Sequence, residues 1–222
     1  MMLRHQRVGW AVAVVGVGLI AAALLVVDRS TGPVVQPVPV VNRGSLPAPV
    51  ATPPGNNDRP DPAVAPAGAR WTQGRPAPDG LTLALPSLGV SAAVQPVTAP
   101  GNVMQIPADP RVLGWWQDGA APDDRTGDVV VVGHVNYAGV TGALERLPAL
   151  HPGDTVALTA TAGFRRTYRV TAIRTYAKAT GIPAAVFSRD GPHQLVLITC
   201  GGPFDAQTGN YEDNIVAYAT PT

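Results

Sequence analysis

Short apolar runs separated by turn residues fill residues 79–222, and their spacing restricts the fold more than any other feature of the sequence. The run 128–135 (DVVVVGHV) holds four consecutive valines, which is typical of a strand buried on both faces. Further strands are predicted at 81–85, 90–97, 155–160, 164–176, 194–199 and 214–219. Short helical turns are predicted only at 143–147 and near 183–187. Many short strands at regular spacing predict an all-β sandwich or closed barrel.

An uncharged apolar run at residues 10–27 precedes this domain, and Arg4 and Arg7 precede the run. A helix that spans a bilayer needs about 20 apolar residues, with about 17 as the minimum. Because cytoplasmic flanks are positively charged, residues 1–27 are predicted to be a cytoplasmic tip and a transmembrane anchor. A cleaved signal peptide is the alternative, although the alanines 21–23 lie inside the run rather than after it. Both alternatives place the remainder of the chain outside the cell.

Residues 28–78 contain 12 of the 24 prolines and show no hydrophobic periodicity. Such a segment cannot bury enough apolar surface to offset the entropy lost on ordering. We therefore predict a Pro-rich disordered linker at 28–78, which lifts a single domain at 79–222 away from the membrane and into a cell wall.

Charge and cysteine content exclude several classes of function. The formal net charge is +1 and no polybasic block is present, which argues against a protein that binds nucleic acid by neutralising phosphates. The single cysteine, Cys200, excludes an intramolecular disulfide framework and any metal site with several thiolates.

Cys200 and His134 each follow an apolar predicted strand, and strand ends can be neighbours in a barrel. A cysteine and a histidine in contact form a thiol nucleophile with its acid/base partner. On spacing alone, a single cysteine is more often a small buried apolar residue, and a single histidine at a strand end is more often structural. Both interpretations stay open at this point.

The sequence resembles the sortase family over about residues 80–220, and its class F branch most closely. The resemblance is carried by VVVVGHV at 129–135, which contains His134, and LVLITCGGPFD at 195–205, which contains Cys200. The segments ALERLPALHPGDTVAL at 143–158 and TGNYEDNIVAYA at 208–219 support it.

The resemblance implies a closed eight-stranded β-barrel with one or two short helices. It also implies a membrane-anchored cysteine transpeptidase on the outer face of a Gram-positive-type cell. Such an enzyme cleaves an LPXTG-like sorting signal between Thr and Gly and forms a thioester on Cys200, with His134 as proton donor and acceptor. An amine of a cell-wall precursor or a pilin then resolves the thioester.

The sequence departs from the family at the arginine that most sortases carry on the strand after the cysteine. Asn214 stands near that position, and no arginine follows Arg189. An asparagine can donate a hydrogen bond to an oxyanion, or it can simply bond its own backbone at a strand start. Alternatively, an arginine from elsewhere supplies the charge, and the candidates nearest His134 in sequence are Arg111, Arg125 and Arg146.

No cofactor and no required metal are predicted. The acidic pairs at 123–124 and 212–213 lack the alternation of a calcium loop. Tyr211, Trp115 and Trp116 are candidates either for a substrate groove or for the core.

Two other functions remain as alternatives. The first is another cell-wall thiol enzyme such as an L,D-transpeptidase, in which the cysteine normally stands in a Ser/His-Gly-Cys-Arg setting, unlike ITCGG here. The second is a non-catalytic β-rich surface module on a stalk.

Overall fold

The protein structure, a computed structural model, describes residues 38–46, 78–161 and 163–222. The strands in these ranges are β1 (Arg43–Gly44), β2 (Thr82–Leu85), β3 (Val90–Val97), β4 (Leu113–Trp116), β5 (Asp128–Val132), β6 (Asn136–Tyr137), β7 (Val140–Thr141), β8 (Thr155–Thr159), β9 (Arg165–Ala177), β10 (Gln194–Asp205) and β11 (Asn210–Pro221). The helices are short 3₁₀ turns: η1 (Pro86–Leu88), η2 (Pro100–Asn102), η3 (Leu147–Ala149) and η4 (Ala184–Phe187).

Eight of these strands close into a barrel. Their order is β9-β11-β10-β5-β4-β3-β2-β8, and β8 pairs back with β9. The pairs β3–β4 and β5–β10 are parallel, and the other neighbours in the barrel are antiparallel. Strand β1 adds to the edge of β9, whereas β6 and β7 form a separate hairpin. The strand pattern predicted an all-β sandwich or closed barrel, and the closed eight-stranded barrel that the family resemblance implied is confirmed.

The valine run of β5 is apolar throughout because both of its faces are covered. Val129 and Val131 point into the barrel, where Trp115 and Tyr168 are fully buried. Val130 and Val132 point outward into a second apolar cluster, which we call the outer cluster. Its other buried members are Val97, Ala172, Val186, Val196, Ile198, Val216 and Tyr218, with Met104, Trp116, Tyr176, Ile182 and Phe187 packed against them.

Several boundaries differ from the sequence prediction. Strand β10 continues to Asp205 instead of ending at 199, because it stays paired with β11 through a bulge between Gly201 and Phe204. The predicted helix at 143–147 is a turn that leads into η3, whereas the turn predicted near 183–187 is present as η4. Strand β4 has no counterpart in the prediction, since its sequence LGWW does not alternate.

Residues 38–46 fall within the predicted linker 28–78, and the structure places them along the barrel. Val38 forms two backbone hydrogen bonds with Gly202, of 3.1 and 3.0 Å, and β1 pairs with β9. The guanidinium of Arg174 donates to the backbone oxygens of Arg43 and Gly44. This short piece of chain is ordered because the barrel satisfies its backbone polar groups.

The predicted anchor at 1–27 lies outside the described residues. Within the described ranges, no helix has the length and apolar character needed to span a membrane.

Candidate active site

The parallel pair β5–β10 brings the ends of two apolar strands together. Its last paired positions are Val132 and Ile198, and the Gly133 N–H donates to the Ile198 oxygen at 3.1 Å. His134 and Cys200 stand two residues beyond those positions, on the same edge of the barrel. Neighbouring strands lie about 4.8 Å apart. The structure therefore places the two residues that the sequence singled out at the ends of neighbouring strands; Cys200 lines the cavity described below, whereas His134 is not among its lining residues.

The Thr199 hydroxyl reinforces this junction. It is buried and donates to the Gly133 oxygen at 2.9 Å, across the gap between the two strand ends. The bond fixes the backbone immediately before both His134 and Cys200. The spacing of the two strand ends is thus set by main-chain and side-chain hydrogen bonds.

A cavity of about 350 Å³ opens at this edge, on the outer face of the barrel, and Cys200 lies in its wall. Its apolar lining comes from the barrel strands and from two loops: Met104, Ile106, Val132, Ile182, Phe187 and Ile198. Its polar lining includes Asn102, Thr199, Cys200 and Asn214. Such a lining favours an extended peptide with apolar side chains, held at a few polar points.

Cys200 is half-buried, so its sulfur can meet a substrate from the cavity. The two glycines after it are required by close packing. A side chain at Gly201 would overlap Ile215, and one at Gly202, whose φ is +75°, would overlap Asp213. Only glycine adopts such a backbone without strain. The bulge turns the chain directly behind the nucleophile.

His134 is half-buried and lies between a carbonyl and an aromatic ring. Its Nε2 is 3.1 Å from the Pro107 oxygen, and its ring stacks on Tyr137 with centroids 5.0 Å apart. Because a carbonyl only accepts, Nε2 carries the proton, and Nδ1 is left as the basic nitrogen of the neutral ring. Burial lowers the pKa of His134, and the hydrogen bond to Pro107 partly opposes that effect. The resting imidazole is therefore neutral near pH 7.

Asn214 is the cross-strand partner of Cys200 in the β10–β11 pair, and both residues line the cavity. Directly opposed residues in an antiparallel pair have their Cβ atoms about 4.5–5.5 Å apart. The Asn214 amide therefore stands beside the Cys200 thiol. In the sequence, Asn214 is also the residue near the position at which the family resemblance expects an arginine.

The three arginines considered as substitutes lie elsewhere. Arg125 precedes β5 and is therefore at the opposite end of that strand from His134. Arg146 donates to the Leu88 oxygen at 3.1 Å, and Arg111 is exposed on the loop after Pro107. No arginine among the described residues lines the cavity.

The aromatic candidates fall into different environments. Trp115 is fully buried in the barrel and donates its indole N–H to the Ala120 oxygen at 3.0 Å. Trp116 packs in the outer cluster, where its ring meets Phe187 edge-on at 5.7 Å. Tyr211 is buried near the site and accepts a hydrogen bond from Asn136 at 2.9 Å.

Sequence reasoning missed Asn136, the Pro107 carbonyl and the apolar residues of the cavity walls. A backbone carbonyl leaves no signal in a sequence. The wall residues Met104, Ile106 and Ile182 did carry one, since they are apolar residues in segments without strand periodicity. His193, which directly follows Gly191 and Pro192 in the sequence, is buried.

The acidic pairs do not combine into a metal site. Within 38–46, 78–161 and 163–222, no group of three or more His, Cys, Asp or Glu side chains is arranged to hold a metal ion. Asp124 has a local role, since its carboxylate accepts from the Ala121 N–H at 2.7 Å.

Comparisons with known proteins agree with this geometry. The sortase domain family profile matches residues 83–222. Sortase A from Corynebacterium diphtheriae, in a lid mutant form, superposes with a TM-score of 0.51 at 18% identity over 67% of this chain and 72% of that one. Sortase C-1 from Actinomyces oris gives 0.51 at 18% identity over 65% of this chain and 74% of that one.

The structure of Streptococcus agalactiae sortase C1 gives a TM-score of 0.50 at 15% identity, covering 64% of this chain and 66% of that one. No curated protein sequence matches the chain. At these identities the solved structures establish the fold, and the family profile covers well over half of the sequence. The chain therefore belongs to the sortase family and is a cysteine transpeptidase.

Proposed function

We propose that this protein cleaves an LPXTG-like sorting signal between Thr and Gly and joins the new carboxyl end to an amine of a cell-wall precursor or a pilin. One observation carries the proposal. Cys200 and His134 follow the last paired residues of two adjacent parallel strands, at the edge where an apolar cavity opens.

The first half-reaction forms the acyl-enzyme. Nδ1 of the neutral His134 ring takes the proton of the Cys200 thiol, the resulting thiolate attacks the Thr carbonyl carbon, and the C–N bond to Gly breaks. The imidazolium of His134 gives its Nδ1 proton to the leaving Gly amine, while its Nε2–H stays bonded to the Pro107 oxygen. The products are a thioester on Cys200 and a free Gly amino group.

The second half-reaction reverses these roles. An acceptor amine attacks the thioester carbonyl, His134 takes the proton that the amine loses, and the Cys200 sulfur leaves. Asn214 is the proposed donor to the oxyanion in both steps, because its amide stands beside the thiol. An amide donor is neutral, so it stabilises the oxyanion less than a guanidinium does.

The cavity supports a signal with apolar residues before the cleaved bond. Walls of Met104, Ile106 and Phe187 can bury leucine and proline side chains, and their burial stabilises the complex without a charged partner. The class F-like subtype is proposed on the sequence segments around His134 and Cys200.

Location outside the membrane follows from the sequence. The apolar run at 10–27 is proposed as a single-pass anchor with a cytoplasmic N-terminus, and residues 28–78, apart from 38–46 that lie along the barrel, as the spacer toward the wall. The catalytic domain would then encounter its substrate and its acceptor between the plasma membrane and the wall.

Intact mass spectrometry tests the proposal. The full chain in detergent is mixed with an LPXTG peptide, and Cys200→Ala and His134→Ala are run in parallel. Wild type should gain the mass of the LPXT acyl fragment, whereas Cys200→Ala should gain nothing and His134→Ala should react very slowly.

If wild type shows no adduct with a panel of sorting motifs, and its thiol does not react with iodoacetamide, Cys200 is a structural residue. An adduct with peptidoglycan stem peptides instead would indicate the other class of thiol enzyme.

A further inference from the structure

A hydrogen bond links the segment after His134 to the strand that carries Asn214. The Asn136 amide donates to the Tyr211 hydroxyl at 2.9 Å, across 75 residues of sequence. Asn136 lies two residues after His134 and begins β6, while Tyr211 lies three residues before Asn214 on β11. The bond therefore connects the two sides of the candidate site.

Tyr211 is a rigid partner for this contact. Its side chain is 6% exposed, and its ring meets the Phe204 ring edge-on at 5.2 Å. Phe204 is also its cross-strand partner in the β10–β11 pair. A phenol held in this way loses little further entropy when it accepts a hydrogen bond.

Tyr211 also lies within electrostatic reach of the nucleophile. Burial raises the pKa of its phenol, the Asn136 amide lowers it, and the charges of Cys200 and Glu145 raise it again. A charge on Cys200 is thus felt at the Tyr211 hydroxyl.

The hairpin that Asn136 begins is linked to a neighbouring loop by a backbone hydrogen bond just after β7, from the Ala143 N–H to the Pro110 oxygen at 2.8 Å. Strands β6 and β7 pair only with each other among the described strands. The imidazole of His134 stacks on Tyr137 of the same hairpin, so a displaced hairpin takes the ring with it. An isolated two-stranded hairpin is marginally stable in water. Its position against β11 therefore rests in part on side-chain contacts such as the bond between Asn136 and Tyr211.

We propose that Tyr211 is a positioning residue, whose hydroxyl holds the His134 hairpin against β11 through Asn136 and so sets the imidazole opposite Cys200. The inference rests on the proposed roles of His134 and Cys200. Tyr211 itself takes no part in proton transfer or in bond formation.

Steady-state kinetics of peptide cleavage by the full chain test this role. Tyr211→Phe removes one oxygen and keeps the ring, and Asn136→Ala removes the other partner. Each change should lower kcat about five- to tenfold, the effect expected for one lost neutral hydrogen bond, with KM within about twofold of wild type. The double variant should be no slower than the slower single variant, since both remove the same interaction.

Tyr218→Phe is the matched control. Tyr218 is a buried tyrosine on the same strand, and its hydroxyl bonds that of Tyr176 at 2.8 Å in the outer cluster. The substitution removes the same chemical group without touching the His134 hairpin, so kcat should be unchanged.

The pKa of His134, measured by NMR titration, is a second test of the positioning role. A substitution that only lowers the stability of the fold would leave this pKa unchanged. Burial holds the pKa of His134 below 6.5. In Tyr211→Phe and Asn136→Ala the loosened hairpin exposes the imidazole to water, so the pKa of His134 should rise toward 6.5. In Tyr218→Phe the pKa of His134 should not change.

Three results would overturn the inference: an unchanged kcat in Tyr211→Phe, an equal loss in Tyr218→Phe, or losses that multiply in the double variant. If Tyr211→Phe fails to fold, the result for Asn136→Ala tests the inference on its own. This variant removes the same hydrogen bond, and Asn136 is less buried than Tyr211. His134→Ala separates the two proposals. If that variant keeps full activity, the proposed function fails; if it is inactive while Tyr211→Phe matches wild type, only the positioning role fails.

Discussion

Replacing Asp128 with asparagine should stabilise the protein at neutral pH. The carboxyl is 2% exposed at the start of β5, opposite Gln194, and it accepts from the Ser188 N–H at 3.1 Å. Burial raises its pKa from 3.8 to about 6, against smaller lowering effects from Gln194 and Ser188. Gln194 Oε1 is buried and finds no hydrogen-bond partner among the described residues.

The magnitude follows from the difference in pKa between the folded and unfolded chains. Below pH 3.8 the carboxyl is neutral in both the folded and the unfolded chain, so it does not change the free energy of unfolding. As pH rises from 3.8 to about 6, the unfolded chain ionises first, and stability is lost. A shift of this size corresponds to about 3 kcal/mol. Asparagine is neutral at every pH, keeps an acceptor for Ser188, and brings an N–H that can reach Gln194 Oε1.

Urea unfolding at several pH values between 4 and 8 measures the effect. Asp128→Asn should match wild type near pH 4 and exceed it by up to about 3 kcal/mol above pH 6.5, with peptide cleavage unchanged. Asp205→Asn is a control in which the effect of the substitution on stability above pH 4 should have the opposite sign. Hydrogen bonds from Gln207 and Thr208 lower the pKa of that exposed carboxyl. A stability difference for Asp128→Asn that does not depend on pH, or a less stable variant at pH 7, would refute the reasoning.

Three further substitutions probe the site and its support. Asn214→Ala should lower kcat about 10- to 100-fold with little change in KM, as for a lost oxyanion donor; wild-type kcat would remove Asn214 from the mechanism. Phe187→Ala removes a wall of the cavity and should raise KM for the peptide more than it lowers kcat, measured by the same kinetics. Gly202→Ala should lower the free energy of unfolding by roughly 1–3 kcal/mol, because its φ is +75° and Asp213 fills the space beside it. Gly209→Ala, with φ +68° and nothing within 4 Å, should lose clearly less; equal losses would show that packing at Gly202 is unimportant.

The sequence predicts the barrel well where a strand is defined by its own residues. The continuous run of valines in β5 is a local signal of burial on both faces, and the partial alternation of side chains in β3 is a local signal of burial on one face. Cys200 and His134 could be paired because each ends such a run. The two strands had only to be neighbours for these residues to stand at adjacent strand ends.

What the sequence did not predict depends on partners far along the chain. His193 follows a Gly-Pro turn, yet it is buried because its imidazole bonds the Tyr168 hydroxyl at 2.9 Å, 25 residues away. The segment 38–46 has the composition of a linker, and it is held by contacts with β9, with Gly202 and with the Pro148 and Leu150 oxygens, to which Arg43 donates. The Asn136–Tyr211 bond spans 75 residues. No local pattern reports such contacts.

The parallel pairing of β5 with β10 makes the reactive site a late product of folding. Parallel neighbours need a long connection, and the Thr199–Gly133 bond that joins these strand ends closes a loop of 66 residues. Contacts this distant form only after the entropy of closing the intervening chain has been lost. Until the barrel closes, Cys200 is an isolated thiol without an acid/base partner or an oxyanion donor. The chain therefore cannot attack a peptide while it is still unfolded, and its chemistry begins only with the native state.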